Sequence, residues 1–262
     1  MKFFEKINTK LLNGFDYRTY IIVPDGNYFI NPKSNSNNLT YQKTGGFAQI
    51  TKDLFVKKLS LGAALRIDKA DYFEAKFTPQ FTVVYSPKET LNFRTSYQNG
   101  YRFPSIFEGF SNVNSGGVKR VGGLRIMSDG IFENSYTKAS IDKFQAQVNN
   151  DVNTLGITQV AAIEKNKNTI QKNPYTYLEP EFVKSLEVGF RGMALNKNLF
   201  IDADFYYNSY KNFIAQVEAS IPNTNDPNLI PTALYSKSTQ NRYRLWTNSK
   251  SKIYNYGGSL GF

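Results

Sequence analysis

The chain has 262 residues, a net charge of +11 and a mean hydropathy of −0.45, so it could form one large domain or two small ones. It contains no Cys and no His, which excludes disulfides, thiol nucleophiles, Ser-His-Asp triads and most zinc sites. No apolar run approaches the ~18 residues that a membrane-spanning helix needs. The cations are scattered without a basic stripe, so nucleic-acid binding is not favoured. Met1–Lys6 lacks the apolar core of a secretory signal peptide behind it.

Period-two alternation of apolar and polar residues predicts five strands in the first hundred residues. These strands cover approximately 15–23, 41–55, 59–68, 76–85 and 91–98. Turns are predicted at Pro24–Asn27, Val56–Lys58 and Ser86–Glu89, and a polar loop at about 31–40.

No strand is predicted from about 104 to 177. A helical turn is expected to start with Pro104 at its first position. Two short helices are predicted at Ser140–Val148 and Asp151–Lys165, because apolar residues recur there at helical spacing. Loops are marked by two glycine pairs, Gly116–Gly117 and Gly122–Gly123.

The clearest pattern is a long hairpin over Leu178–Asn208, with a polar turn at Asn196–Asn198. One face carries apolar residues such as Val188 and Phe205, and the other carries nearly every charge. A soluble sheet places such an apolar face on a core, whereas a membrane barrel places it in lipid. The alternation by itself leaves both possibilities open.

Residues 219–245 are predicted as loop, and a last strand is predicted at 254–262, which gives eight strands in all. Their connections alternate between short turns and long loops, as in outer-membrane barrels, which have short periplasmic turns and long external loops. Aromatic residues make up 15% of the chain, which suits interfacial girdles. A soluble β-sandwich remains open, although its strands are usually only ~5–6 residues long.

Two motifs resemble those of TonB-dependent outer-membrane receptors. The run LNFRTSYQNGYRFPS over Leu91–Ser105 resembles the family's SYxxGFRxPS stretch, and Leu178–Phe190 resembles its LKPExxxSxEvGf segment. The motif residues are Tyr97, Gly100, Arg102, Pro104, Ser105, Leu178, Pro180, Glu181, Glu187 and Gly189. The richness in Asn, Lys and Tyr is similar to that of receptors from Bacteroidetes.

The resemblance implies an all-β fold: an antiparallel transmembrane β-barrel segment, about eight strands of a barrel of about 22, with long, partly helical external loops. Residues 1–262 would form a partial barrel domain without plug domain or TonB-contacting box, truncated at both ends. The implied location is the outer membrane of a Gram-negative bacterium. The implied partners are outer-membrane lipid, a plug domain and the TonB complex, the last two through other parts of the receptor.

The resemblance further implies energised import of a large nutrient, whether an iron–siderophore, a cofactor or an oligosaccharide. Two alternatives remain at this point, a small stand-alone eight-stranded barrel acting as pore or adhesin, and a soluble β-rich binding module. No catalytic, cofactor-binding or metal site is expected. Asp202 and Asp204 lie two residues apart on one strand, which is more typical of a water-exposed face than of an acid–base pair. The segment 104–178 is the candidate external gate.

The polar face of the predicted strands supplies the candidate lumen-facing residues. They are Arg94, Gln98, Arg102, Glu187, Arg191, Asp202 and Asp204. Such residues either form salt bridges with neighbouring strands and the plug or contact the ligand, and cross-strand pairs are the more ordinary use.

Overall fold

The computed structural model describes residues 8–24, 26, 28–34 and 37–262. The features predicted for Met1–Lys6, for positions 25 and 27 of the first turn and for positions 35–36 of the polar loop lie outside these residues. Within the described residues none of the helices is both long enough and apolar enough to span a bilayer.

Strands dominate the described chain. They are β1 (Thr9–Ile22), β2 (Leu39–Leu54), β3 (Leu59–Ala70), β4 (Lys76–Lys88), β5 (Leu91–Arg102), β6 (Asn112–Ser115), β7 (Val118–Val121), β8 (Tyr136–Thr137), β9 (Glu181–Ala194), β10 (Leu199–Lys211), β11 (Ile214–Pro222), β12 (Gln240–Asn248) and β13 (Ile253–Gly261). The α-helices are α1 (Ile106–Phe110), α2 (Arg125–Ser128), α3 (Ile131–Asn134), α4 (Lys138–Leu155), α5 (Gln159–Asn166) and α6 (Ile230–Tyr235).

The eight longer strands form one sheet in the order β1, β2, β3, β4, β5, β9, β10, β13, with every neighbouring pair antiparallel. These are the eight strands that the alternation predicts. One predicted turn is misplaced: β4 runs on to Lys88, so the turn falls at 89–90 instead of Ser86–Glu89. A register shift between Tyr85 and Lys88 allows the strand to continue past Pro87.

The register of the large sheet gathers apolar side chains on one face. Phe93 pairs with Phe190, and Val188 pairs with Phe205 on the next strand. Val188 remains 44% exposed and Phe205 47% exposed, and large apolar residues of the other long strands are exposed in the same way. Soluble monomers rarely expose so large an apolar surface, whereas a barrel turns such a face to lipid.

The connections at the two ends of the large sheet differ in length. One end carries the short turns 55–58, 89–90 and 195–198. The other end carries the longer segments 23–38, 71–75, 103–180 and 212–252. This arrangement confirms the predicted alternation, and it gathers the long segments at a single end of the sheet.

The two longest segments, 103–180 and 212–252, fold together into one body that we call the cap. Its sheet has five short strands in the order β6, β7, β12, β11, β8, in which β7 and β12 are parallel. Each segment supplies some of these strands, so neither can build the cap sheet alone. A core of Val121, Phe132, Ala219 and Leu245 lies within the cap, and Phe144, Val148, Ala162 and Ile163 form another between α4 and α5.

Several sequence predictions for the cap are wrong. The segment 104–177, predicted to lack strands, contains β6, β7 and β8, and the predicted loop 219–245 contains the last four residues of β11 and the first six of β12. β6, β7 and β8 have four residues or fewer, which is too short to show alternation. β11 has nine residues, and its Val217, Ala219 and Ile221 alternate with polar residues, so its signal was present in the sequence. The helical break falls at Gly156, in the left-handed region at φ 64°, so Asp151 belongs to α4 and not to the second helix.

An apolar cluster fastens the cap to the large sheet. It comprises Ile22, Leu39, Tyr41, Ala70, Phe73, Phe110 and Leu124. Phe110 belongs to the cap, whereas Tyr41 and Ala70 lie at the ends of long strands, and all three are at most 2% exposed. Burial of a large apolar side chain such as Phe110 contributes roughly 1.5–3 kcal/mol, so this cluster stabilises the contact between the cap and the strand ends.

Candidate functional site

The first motif spans the junction between β5 and the cap. Ser105 is the N-cap of α1: its Oγ accepts from the Glu108 N–H at 3.2 Å, and Glu108 Oε2 accepts from the Ser105 N–H at 2.7 Å. This reciprocal pair is a capping box. The predicted helical turn is confirmed, but Pro104 precedes the N-cap and is not its first helical residue. The capping box fixes the direction in which the chain leaves the strand.

Glu181, the first residue of β9, connects three parts of this junction. One carboxylate oxygen accepts from Arg102 Nε at 2.5 Å, and the other accepts from the Ile214 backbone N–H at 2.7 Å. Arg102 also donates from Nη1 to Glu108 Oε2 at 2.9 Å. We call Arg102, Glu108, Glu181 and Ile214 the hub, because they join β5, α1, β9 and the start of β11.

Both carboxylates of the hub are well covered, with side chains 11% exposed for Glu181 and 14% for Glu108. Burial acts to raise the pKa of Glu108, but the hydrogen bonds from Arg102 and from the Ser105 backbone outweigh it. The net result is a pKa below the usual value of 4.5. Glu108 therefore stays ionised through the neutral pH range.

The second motif contacts the cap beside the hub. Leu178 is 3% exposed, and its N–H donates to the Gly123 carbonyl at 2.9 Å. A Cβ on Gly123 would collide with the Trp246 carbonyl, so only glycine lets the two cap segments approach there. Pro180 is buried immediately before β9, where a missing N–H costs no ladder bond. The glycine pair Gly122–Gly123 therefore marks a close approach of two segments of the chain as well as a loop.

A ladder of ion pairs lies on the polar face of β5, β9 and β10. Arg94 pairs with Asp204 and, at 3.3 Å, with Asp202, which also pairs with Arg191 at 2.5 Å. Arg94 reaches β10 by passing over β9 at Gly189, where a Cβ would lie 2.5 Å from Arg94 Nε. The motif glycine therefore leaves room for the arginine side chain to cross the strand.

The same arrangement, an arginine side chain crossing a strand above a glycine, recurs on β1, β2 and β3. Arg66 crosses over Gly45 and pairs with Asp16 on the far strand at 2.6 Å, and it also pairs with Asp68 at 2.6 Å. These side chains are between 25% and 35% exposed. Pairs that are this open contribute about 0–1 kcal/mol each, so they orient the polar face more than they stabilise the fold.

The structure brings some of the predicted residues together and leaves others apart. Arg94, Arg191, Asp202 and Asp204 share the ladder, and Arg102 belongs to the hub. Gln98 and Glu187 lie on the same face by register, opposite Ser185 and Tyr206, but outside the ladder.

Two further motif residues have roles in packing. Tyr97 lies on the opposite, apolar face, with its hydroxyl donating to Asn99 at 3.2 Å. A Cβ on Gly100 would meet the Val183 side chain at 2.9 Å.

Sequence reasoning missed Glu108, Arg66 and Asp16. The Ser105-to-Glu108 spacing of a capping box was a signal that could have found Glu108. The two arginine crossings depend on strand order, which carries no local signal.

A sheet with one exposed apolar face, one charged face and its long segments at one end is typical of a large outer-membrane β-barrel. The chain belongs to the TonB-dependent receptor family: the family model described as "TonB dependent receptor-like, beta-barrel" matches residues 3–262. This family comprises outer-membrane proteins of Gram-negative bacteria, and its members are transporters, not enzymes.

Solved structures support the same fold. A variant of the ferric enterobactin receptor PfeA from Pseudomonas aeruginosa is similar over 95% of this chain and 30% of its own, with TM-score 0.57 and 13% identity. The siderophore receptor PirA from Pseudomonas aeruginosa is similar over 96% of this chain and 32% of its own, with TM-score 0.53 and 11% identity. PirA from Acinetobacter baumannii is similar over 97% of this chain and 32% of its own, with TM-score 0.51 and 13% identity.

The chain thus spans about a third of the length of the solved receptors that it matches. At identities this low the likeness shows the fold alone. No curated protein matches the chain. The compositional likeness to Bacteroidetes receptors stays a prediction.

Proposed function

We propose that this chain is the barrel and external-cap portion of an outer-membrane receptor that imports a large nutrient with energy supplied through the TonB complex. Family membership supports the proposal. The structural observation that carries it is the cap, because two long segments fold as one body over a single end of the sheet. A body of this size at the barrel mouth suits an entrance that admits one large solute at a time.

The polar face of the large sheet then lines the lumen. We propose that Arg94, Arg191, Asp202 and Asp204 mainly hold neighbouring strands and the plug domain in place, since they already pair with one another. Gln98 and Glu187 lie on this face outside the ladder and are open to a plug or ligand contact. The opposite face is proposed to contact outer-membrane lipid.

An iron–siderophore complex is the ligand class that we propose first. The names of structurally similar proteins support this choice, since they are receptors for siderophores or for ferric enterobactin. A cofactor and an oligosaccharide are the alternative ligands, and they differ from a siderophore in needing no bound iron.

The test uses the full-length receptor in cells that lack their own uptake receptors, with and without functional TonB. Accumulation of radioactive iron from ferric enterobactin, of cobalamin and of a maltooligosaccharide is measured in parallel. Uptake of one solute that requires TonB supports the proposed receptor, and the solute identifies the class. Passage of small solutes that is equal with and without TonB would instead favour a passive pore.

A further inference from the structure

A cleft in the cap, separate from the hub and the ladder, is lined by more cationic than anionic side chains. It lies between α4 and the cap sheet and encloses a cavity of about 210 Å³. Its charged lining comprises Lys138, Asp142, Glu218, Lys237 and Arg242. We call this the cap cleft.

Both carboxylates of the cap cleft already have cationic partners. Arg244 donates from Nε to Glu218 at 3.0 Å, and Lys138 pairs with Asp142. Within the described part of the chain, Arg242 donates only to the Gly116 carbonyl, at 3.4 Å, and neither Arg242 nor Lys237 forms an ion pair. Two cations at the cleft therefore lack a counter-charge.

The same face of the cap sheet continues to two donors without acceptors. Arg120 pairs by register with Arg244, and Trp246 follows two residues further along β12. Arg120 Nε and Trp246 Nε1 are both buried, and neither has a hydrogen-bond partner among the described residues. Both side chains lie against the Phe107 ring, beside the cap cleft and not in its lining. A buried donor left unpaired costs about 1–3 kcal/mol. Such a cost is usually removed by water, an ion or a ligand atom that accepts the bond.

The position of Arg242 is set by the tight turn between β6 and β7. Gly116 and Gly117 both have positive φ, 58° and 74°, which favours glycine. A Cβ on Gly117 would lie 3.0 Å from the Arg242 guanidinium, so this turn leaves the space that the side chain occupies. Arg242 is thus positioned at the cleft by backbone that other residues would disturb.

We propose that the cap cleft is an oxyanion-binding subsite, which takes a carboxylate, sulfate or phosphate group. Arg242 supplies a planar fork that matches two anionic oxygens, and Lys237 supplies a mobile point charge. The cavity volume suits one such group with its bridging waters, not a whole large nutrient. The group belongs either to the imported ligand or to an anionic molecule outside the cell.

The first test measures binding of inorganic phosphate to purified full-length receptor by broadening of the phosphorus resonance. Wild type should bind saturably, and Lys237→Gln together with Arg242→Gln should weaken binding at least tenfold. Lys119→Gln is the matched control, because it removes one charge from the opposite face of the same sheet. Lys237→Gln alone, at an exposed residue, serves if the double variant fails to fold. Equal binding by wild type and the Lys237 variant, or an equal loss in the Lys119 control, would overturn the proposal.

The second test separates the two sources of the anion. Cells carrying wild type or the double variant are given ferric citrate, which carries carboxylate groups, and an uncharged ferric hydroxamate. Selective loss of ferric citrate uptake assigns the subsite to the imported ligand. Loss of phosphate binding with unchanged uptake assigns it to an external anion. The phosphate-binding test does not depend on the proposed import function. Absence of all uptake would therefore refute import, whereas the oxyanion subsite would still be supported by phosphate binding.

Discussion

Replacing Glu181 tests whether the hub holds the cap on the barrel strands. In Glu181→Ala, Arg102 keeps only Glu108 as a partner, and the Ile214 N–H loses its acceptor. Since Glu181 is 9% exposed, water cannot readily replace it. We expect the start of β11 to detach locally while the large sheet remains folded.

The change in the free energy of local opening follows from the two contacts that Glu181→Ala removes. A hydrogen bond to a charged group contributes about 1.5–3 kcal/mol, and a buried N–H without acceptor costs about 1–3 kcal/mol. The Arg102 side chain is 47% exposed, so solvent screens the ion pair and the lower part of the first range applies. The sum is about 3–4 kcal/mol for local opening, which corresponds to roughly 10²- to 10³-fold.

Hydrogen–deuterium exchange on full-length receptor measures this opening directly. Amides at the start of β11 should exchange roughly 10²- to 10³-fold faster in Glu181→Ala than in wild type. Glu179→Gln is the control, since it alters an exposed glutamate two residues earlier. Unchanged exchange in Glu181→Ala, with the receptor folded, would refute the hub as the fastening of the cap.

Three other predictions concern faces, accessibility and pH. Val188→Arg should reduce folded receptor on heat-shift gels, because a cation in the lipid midplane costs about 2–4 kcal/mol, whereas Glu187→Gln should not; the reverse result would invert the assigned faces. Tags inserted at the exposed turns Gly116 and Gly156 should be labelled on intact cells, and labelling only after permeabilisation would place the cap on the periplasmic side. The lowered pKa of Glu108 means that its stabilising contribution is complete above pH 4.5 and is lost as the pH falls through the lower folded value. Cap protection, measured by exchange, should therefore hold down to about pH 4.5 and decline below it. Glu108→Gln should abolish this decline, and a decline that persists in that variant would assign the titration to another group.

The sequence by itself determined the large sheet. Alternation over strands of nine residues or more identifies all eight of its members, since each strand presents several apolar positions to the same face. It also determined which end carries the long segments, because antiparallel neighbours alternate their connections between two ends. The motif residues Ser105 and Glu181 were found from the family resemblance, and their contacts were not.

Only the tertiary structure decided the cap, the hub and the arginine crossings. The parallel pairing of β7 with β12 joins Val118 to Arg242, and no local pattern connects residues so far apart. Arg94 and Asp204 lie on strands separated by β9, so their pairing depends on strand order and on the space above Gly189. Local patterns fix which way a side chain faces along its own strand. Which distant groups then meet depends on the tertiary fold, because bringing them together costs loop-closure entropy that only the complete set of contacts offsets.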